Sequence, residues 1–222
     1  VFSGEILGMA GLVGAGRSEI AQTIFGVDPD LGGTIHIDGN PIKRGSAKAS
    51  IKAGIYLAPE DRKRTGLITE FDIIKNVSLA SLKNYSNRIG LIDSESEETT
   101  ASNQINKLNI KTPSADTPVI NLSGGNQQKV VLGKWLSMNP KLIIFDEPTR
   151  GIDVGAKAEI YKLMRKLADN GVAILMISSD MEEVLGISDR IAVMHEGKIT
   201  GILDREKFSE ENIMNLAVGR SS

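Results

Sequence analysis

Two short apolar stretches in the second half of the chain predict strands that are buried on both faces. They are residues 141–145 and 172–177, which consist mainly of Leu, Ile, Val, Phe and Met. Such runs are typical of parallel strands covered by helices on both sides of a sheet. Amphipathic patterns at about 155–169 and 180–186 predict helices that flank the second run. This part of the chain therefore predicts an α/β fold.

The N-terminal third of the chain predicts a strand, a glycine-rich turn and a helix. Residues 5–9 are apolar, the turn covers 11–16, and helical spacing follows over 18–25, with Gly26 as its stop. Alternation and turn residues predict further strands, at 33–39, at 55–57 and, as a terminal hairpin, at 191–202. A strand, a glycine-rich loop and a helix in this order form the first unit of an α/β fold with a predominantly parallel sheet.

A polar stretch separates these apolar segments. Residues 70–115 are rich in Ser, Asn, Lys and Glu and follow a mainly helical pattern. We interpret them as part of a helical subdomain inserted into the α/β core. The predicted organisation is a single domain, with its core at about 1–69 and 130–222 and the helical subdomain at about 70–129.

Composition and charge narrow the classes of function. The 222 residues carry a formal net charge of -2, so that no basic excess indicates a nucleic-acid partner. The absence of cysteine excludes disulfides and thiolate metal sites. The longest apolar runs are far too short to span a bilayer. If this protein serves a membrane, we expect it to act through a partner.

The glycine-rich turn has the pattern of a phosphate-binding loop. Its glycines would let successive N–H groups surround phosphate oxygens, and the following helix start adds partial positive charge. Ser18 is in the position that normally binds Mg²⁺. The strict motif has lysine where this chain has arginine, so a plain strand-to-helix turn stays open as an alternative. The residues assigned to nucleotide binding here are Gly11, Gly14, Ala15, Gly16, Arg17 and Ser18.

Two carboxylates end the apolar run that starts near residue 141. Asp146, at the strand tip, would hold Mg²⁺ directly or through water, as the Walker-B aspartate does. Glu147 would polarise an attacking water as general base. The alternative is a solvated acidic turn at a strand end.

A second candidate anion site lies at the start of a helix predicted over 127–136. Ser and two glycines at a helix start favour phosphate, so that one chain carries two such starts. A single compact site does not need both, whereas a dimer with ATP between its subunits does. We assign four residues here to nucleotide binding, Ser123, Gly124, Gly125 and Gln127.

In this order, the segments at 11–18, 122–125 and 146–149 resemble the ABC ATPase family over nearly the whole chain. The resemblance is closest to the second ATPase half of monosaccharide importers of the ribose, galactose and xylose type, in residues 11–19, 60–64 and 146–157. It implies a P-loop NTPase (RecA-like) core with an inserted helical ABC subdomain. It also implies that this chain is the C-terminal half alone, with its N-terminal antiparallel β part truncated.

The same resemblance implies cofactors and partners. ATP and Mg²⁺ are the expected cofactors, and the expected activity is ATP hydrolysis that energises import of a monosaccharide. The partners would be the other ATPase half in a head-to-tail dimer, membrane permease subunits and, indirectly, a periplasmic or extracellular sugar-binding protein, with no nucleic acid. The location would be the cytoplasmic face of a bacterial cell membrane, as a peripheral protein. Asp153 resembles the D-loop position, which contacts the opposite subunit and belongs to the nucleotide site; the alternative is an N-cap for the next helix.

Four positions depart from the family pattern. Arg17 replaces the loop lysine, and Glu19 stands where a second hydroxyl residue is usual. Glu60 aligns with a glutamine that senses Mg²⁺ and the γ-phosphate, so its carboxylate would add a metal ligand or repel phosphate. Ser179 takes the catalytic position of the switch histidine and cannot carry a proton charge near neutral pH. We therefore expect this site to turn over slowly or not at all, while residues 123–125 complete a competent site on the other half.

Two further expectations concern affinity and function. The family places an adenine-stacking aromatic residue upstream of the loop, which we expect to be absent here, so that ATP affinity is weak. The competing functions are a regulatory nucleotide-binding module without hydrolysis and a soluble ABC ATPase outside transport.

Overall fold

The computed structural model describes residues 1–28 and 32–220. These residues form two compact units, which we describe one at a time. The first unit comprises Val1–Glu60, Lys141–Pro148 and Tyr161–Ser222. The second comprises Asp61–Pro140 and Thr149–Ile160, and both predicted limits of the helical subdomain, residues 70 and 129, fall within it.

Within the described residues, the first unit contains a six-stranded sheet and a small two-stranded ribbon. The strands are β1 (Ile6–Gly11), β2 (His36–Ile37), β3 (Asn40–Pro41), β4 (Ile55–Ala58), β5 (Leu142–Asp146), β6 (Ala173–Ile177), β7 (Arg190–His195) and β8 (Lys198–Asp204). The large sheet has the order β4-β5-β6-β1-β7-β8, and all its neighbouring pairs are parallel except β7 with β8. The predicted α/β class with a predominantly parallel sheet is therefore confirmed.

The apolar runs form the middle of this sheet. Ile6, Ile143 and Ile174 are fully buried, one on each of three adjacent strands. The edge strand β8 is different, because most of its residues are exposed. The predicted strand at 33–39 is mostly absent, since only His36 and Ile37 pair, with residues 40–41. A strand that is covered on both faces needs a continuous apolar sequence. The short ribbon of β2 and β3 has no such sequence and forms because of the turn between its two strands.

Six of the eight α-helices in the described residues agree with the periodic patterns, and two were not predicted. The α-helices are α1 (Arg17–Phe25), α2 (Ala47–Ala53), α3 (Ile73–Ser78), α4 (Ser94–Leu108), α5 (Gly124–Leu136), α6 (Val154–Asp169), α7 (Met181–Ile187) and α8 (Glu210–Ala217). Gly26 ends α1 in the left-handed conformation, as predicted. The unpredicted helices are α2 and α8; the N-cap residue of α8, Ser209, accepts a hydrogen bond at its side chain from the Asn212 backbone N.

The second unit is mainly helical and is built around α5. Nearly all of α5 is buried, including Val130, Val131 and Leu132. Asn76 in α3 braces the preceding loop, because its side chain accepts a hydrogen bond from Ile68 N and donates one to Ile68 O, both at 2.9 Å. Among the helices of residues 1–28 and 32–220, none combines the length and the apolar composition needed to cross a bilayer.

Candidate nucleotide site

The carboxyl ends of four adjacent parallel strands form one edge of the sheet in the first unit. β4, β5, β6 and β1 are neighbours in that order. Ligands of open α/β sheets bind outside the carboxyl ends of parallel strands. Most of the predicted nucleotide and catalytic residues follow these strands directly: Glu60 after β4, Asp146 and Glu147 at the end of β5, Ser179 after β6 and residues 11–16 at the end of β1.

The loop after β1 needs its glycines for conformation and space. Gly14 and Gly16 have φ angles of 81° and 97°, in the left-handed region that favours glycine. A β-carbon added at Gly11 would lie 2.6 Å from Met194 O, so strand β7 leaves no room for a side chain there. At Gly14, by contrast, nothing would lie within 4 Å of a β-carbon. The loop is therefore packed at its base and open at its tip, as a phosphate cradle requires.

The hairpin between β7 and β8 supports the same loop. Gly197 N, in the hairpin turn, donates a hydrogen bond to Ala15 O at 3.0 Å. The turn residues Glu196 and Gly197 both have positive φ, as in a tight two-residue hairpin. The hairpin predicted at 191–202 is thus confirmed, and its turn helps to fix the loop.

Ser18 and Asp146 form the most direct candidate for a cation site. Ser18 Oγ donates a hydrogen bond to Asp146 Oδ1 at 3.0 Å. Asp146 is 2% exposed, and its burial raises the pKa of the carboxyl, while the Ser18 hydroxyl lowers it. A hydroxyl and a buried carboxylate side by side supply the oxygen ligands that Mg²⁺ prefers, with phosphate and water to complete its shell. These residues therefore fit the predicted Mg²⁺ and nucleotide.

Arg17 is held away from solvent at the start of α1. Its Nη1 donates a hydrogen bond to Ser178 O, just past the end of β6, at 2.5 Å, and the residue is 9% exposed. Ser178 Oγ in turn donates to the buried carboxylate of Glu183. Glu19, two residues after Arg17, is exposed in the first turn of α1. A guanidinium bonded to a main-chain carbonyl is a different arrangement from a lysine that reaches phosphate.

Glu147 and Ser179 contact each other at the same edge. Ser179 Oγ donates a hydrogen bond to Glu147 Oε2 at 3.0 Å. Glu147 has a φ of 48°, uncommon for a residue with a side chain, and its amide donates to Ile177 O at 2.9 Å. Backbone strain of this kind concentrates at functional sites. The hydroxyl therefore orients the predicted general base, in the position where the family pattern has histidine.

The other predicted residues lie in the second unit, around the start of α5. Ser123 Oγ accepts a hydrogen bond from Asn126 Nδ2 at 3.0 Å. A β-carbon at Gly125 would lie 2.7 Å from the Ala156 side chain, so this glycine also allows α5 and α6 to pack closely. Asp153 Oδ1 accepts a hydrogen bond from Ala156 N at 3.0 Å, as the N-cap alternative requires. A cavity of about 200 Å³ beside these residues is lined by Ser123, Gly125, Asn126, Lys129, Asp153 and Glu159, among others.

Gln127 has a structural role in this second group. It is 2% exposed, and its Nε2 donates a hydrogen bond to Val119 O at 3.1 Å. Sequence reasoning missed Lys129, which lies two residues further along α5. Its Nζ contacts Glu159 Oε2 at 2.6 Å and donates to Asn109 O at 2.8 Å. A lysine among the apolar residues of α5 was the available signal, because a buried lysine must find a partner.

The sheet edge, the glycine loop and the Ser18–Asp146 pair define an α/β protein of the P-loop NTPase class. The profile of the family described as ABC transporter matches residues 1–150. The chain therefore belongs to the ABC transporter family, and the predicted resemblance is confirmed.

Several curated relatives match nearly the whole chain. The chain is 52% identical over 219 residues to the ribose import ATP-binding protein RbsA of Lactococcus lactis subsp. cremoris (strain SK11), covering 99% of this chain and 44% of that protein. It is 54% identical over 218 residues to a putative ribose/galactose/methyl galactoside import ATP-binding protein 2 of Rhizobium meliloti (strain 1021), covering 98% of this chain and 42% of that protein. The chain thus spans less than half the length of these relatives.

Solved structures share the fold. A dimeric ATP-binding cassette in a post-hydrolysis state, bound to ADP and Pi, matches with a TM-score of 0.77 and 23% identity, over 93% of this chain and 88% of that one. The cbiO1 protein from Clostridium perfringens, part of the ABC transporter complex cbiONQ, matches with a TM-score of 0.75 and 26% identity, over 97% of this chain and 85% of that one. These likenesses agree with the P-loop NTPase fold predicted from the sequence.

Proposed function

We propose that this chain is an ATP-binding domain that energises import of a monosaccharide through a membrane permease. The observation that carries the proposal is the Ser18–Asp146 pair beside the glycine loop, because it joins a cation site to a phosphate cradle. Relatives with about half of their residues identical are ribose and galactose import ATP-binding proteins, which supports a sugar as the cargo. The domain would act on the cytoplasmic face of the membrane, as a peripheral protein.

Each residue of the sheet edge has a role in binding or hydrolysis. The loop amides would bind the phosphates of ATP, and Ser18 and Asp146 would hold Mg²⁺. Glu60, which follows the neighbouring strand β4, is a third candidate ligand. When bound, Mg²⁺ neutralises charge on the phosphate oxygens. Glu147 orients and deprotonates the attacking water, and Ser179 holds the Glu147 carboxylate.

This site would be the weaker one of a pair. Arg17 donates to Ser178 O, Ser179 replaces the histidine, and the carboxylates of Glu19 and Glu60 add negative charge where phosphate would bind. Residues 123–125 keep the full pattern, so we assign them to the site of the other ATPase half in a head-to-tail dimer. Permease subunits and an external sugar-binding protein complete the proposed assembly. This asymmetry would account for a weak site and an intact second anion site in one chain.

The test compares Glu147→Gln and Ser123→Ala, made separately in the full-length protein, with Glu98→Gln on the exposed part of α4 as a matched control. Steady-state ATPase is measured for all three. Ser123→Ala is expected to lower turnover by about 100-fold or more, because it removes a group that meets phosphate in the competent site. Glu147→Gln should lower it much less, and Glu98→Gln should have no effect. Equal losses in the first two variants would contradict the asymmetry.

A second candidate function is a regulatory nucleotide-binding module without hydrolysis. The hydrogen bond from Arg17 to Ser178 O favours this function, because the guanidinium of the loop is then not available to contact the γ-phosphate. Single-turnover ATPase separates the two, since a regulatory module releases ATP unchanged. A soluble ABC ATPase outside transport is the third possibility, and it would not co-purify with a membrane permease.

A further inference from the structure

Arg62 opens a single π-helical turn, Arg62–Gly66, in the second unit. The turn is fixed at both of its ends. At its start, Asp61 Oδ1 accepts a hydrogen bond from Arg64 N at 3.1 Å. At its end, Lys134 Nζ, buried in α5, donates to Gly66 O at 2.7 Å. The backbone that carries Arg62 is therefore held on α5, the helix that begins at Gly124.

The Arg62 side chain bridges to the loop that precedes α6. Its Nη1 donates a hydrogen bond to Arg150 O at 3.0 Å, and its Nη2 donates to Gly151 O at 3.4 Å. Gly151 has a φ of 66°, which turns this part of the loop into the left-handed conformation. A planar guanidinium can bond two successive carbonyls at once, whereas a lysine ammonium makes a point contact.

The same guanidinium lies against the start of α5. A β-carbon added at Gly124 would be 2.6 Å from Arg62 Nη2 and 2.9 Å from Gly151 O. Gly124 therefore has no space for a side chain because Arg62 and the loop pack there. One arginine thus contacts the start of α5 at the predicted residues 123–125 and the loop that leads to the predicted Asp153.

The bridge carries a charge that is partly removed from water. Arg62 is half-buried, and its Nε is buried without a hydrogen-bond partner. Burial lowers the pKa of the Arg62 guanidinium and Asp61 raises it, yet an arginine stays protonated at neutral pH. A positive charge beside the start of α5 adds to the partial charge of the helix terminus. Arg62 thus supports the anion site by its charge as well as by its contacts.

We propose that Arg62 is a positioning residue that holds residues 123–125 and the loop 149–153 in one arrangement, competent to complete a phosphate site. This inference rests on the proposed function of residues 123–125. Arg62 follows Glu60 by two residues, and the loop follows Glu147 by two. Arg62 therefore links the segment that follows Glu60 in sequence to the segment that follows Glu147.

The experiment measures steady-state ATPase of the full-length protein over a range of ATP concentrations, for Arg62→Met, Arg62→Lys and the control Lys63→Met. Lys63 lies on the same turn and is exposed, and its replacement by methionine removes the same charge as Arg62→Met. Arg62→Met is expected to lower kcat by about 10- to 100-fold with little change in KM, since misplacement by about 1 Å costs this much in rate. Arg62→Lys should lie between Arg62→Met and the unchanged control.

A second measurement separates positioning from loss of folding. Amide hydrogen exchange should become faster at residues 123–126 and 150–153 in Arg62→Met, with no such change in Lys63→Met. An unchanged kcat in Arg62→Met, or an equal loss in both variants, would overturn the inference. Ser123→Ala in the same assay tests the proposed function separately. If Ser123→Ala leaves turnover intact, the proposed function fails; if it removes turnover and Arg62→Met does not, only the role of Arg62 fails.

Discussion

At the scale of single residues, the contacts of Arg17 change the meaning of the altered loop. The substitution is conservative in charge, but the guanidinium is bonded to Ser178 O, and the residue is 9% exposed. Because the neighbouring Ser179 holds Glu147, the arginine and the serine act on the same short segment after β6. The departures from the family pattern are therefore connected in space, at least at positions 17 and 179.

Restoring the family residues should restore hydrolysis. Arg17→Lys combined with Glu60→Gln and Ser179→His is expected to raise the single-turnover rate at this site by at least about tenfold, since an acid–base or positioning group contributes that much or more. Arg17→Lys alone should give less. Quenched-flow measurements check the rate, and addition of Glu147→Gln should return the triple variant to its starting level. A triple variant no faster than the original protein would show that other residues limit the site.

The residues of the nucleotide site could be assigned from short motifs, because each motif is contiguous in sequence. The loop at 11–18 and the carboxylates at 146–147 could be assigned for this reason, and the parallel strands bring them to one edge. The partner of Arg17 could not be predicted, since Ser178 is 161 positions away and offers only a main-chain carbonyl. The burial of Gln127 was not predicted either, because a helical pattern does not indicate which polar side chain forms a hydrogen bond inside the protein.

At the scale of elements, strand β1 depends on a glycine. A β-carbon at Gly8 would lie 2.2 Å from Ser188 Oγ, and Ser188 is fully buried. Gly8→Ala is therefore expected to lower the free energy of unfolding by about 1–3 kcal/mol through overpacking. Urea denaturation measures the change.

The control for this variant is Gly186→Ala in α7. Gly186 is exposed, and nothing would lie within 4 Å of its β-carbon. Gly186 lies in the last turn of α7, and alanine in place of a helical glycine should raise stability by up to about 1 kcal/mol. A Gly8→Ala variant as stable as Gly186→Ala would mean that β1 is packed less tightly than these distances indicate.

Helix α5 contains a buried lysine that makes stability depend on pH. Burial lowers the pKa of Lys134 from 10.5 to about 8. Between these pH values the unfolded chain keeps the proton and the folded chain releases it, so the free energy of unfolding rises with pH. The gain in the free energy of unfolding is on the order of 2–3 kcal/mol. It is absent below the folded-state pKa of about 8, where the lysine is charged in both states.

Lys134→Met removes this dependence. The difference in unfolding free energy between the original protein and Lys134→Met should shift in favour of the original protein as pH rises from about 7 to about 10. Urea titrations of both proteins at the two pH values provide the measurement, and Lys107→Met on the surface-facing end of α4 serves as control. A difference that stays constant with pH would contradict the lowered pKa.

Element prediction succeeded where burial is uniform. The runs at 141–145 and 172–177 became β5 and β6 within one residue at their ends, because a strand covered on both faces leaves little room for polar residues. Helix α8 was missed, since its short amphipathic segment follows a polar turn at the end of the chain. The order of strands in the sheet was beyond sequence reasoning, because it is set by contacts between distant segments.

At the scale of the whole molecule, the two units share one chain in an interleaved way. The chain passes from one unit to the other after residues 60, 140, 148 and 160. Neither unit is a single continuous segment, unlike typical independent domains. We therefore keep the prediction that residues 1–222 form a single domain, and it implies one cooperative unfolding transition.

The single tryptophan tests this cooperativity. Trp135 is buried in α5 of the second unit, so that its fluorescence reports on that unit. Its transition in urea is expected to coincide with that of far-UV circular dichroism. A variant with Trp135→Phe and Phe25→Trp moves the reporter to the first unit and should give the same midpoint. Separate midpoints would show two units that unfold independently.

The position of β1 in the sheet has a consequence for synthesis on the ribosome. β1 ends at residue 11, but its two partners, β6 and β7, begin at residues 173 and 190, so they are synthesised long after it. At bacterial or eukaryotic elongation rates, this apolar strand waits on the order of 10–30 s before either partner emerges. During that interval the nascent chain keeps an unpaired apolar strand exposed to aggregation, so the sheet can close around β1 only when the last third of this domain is being made.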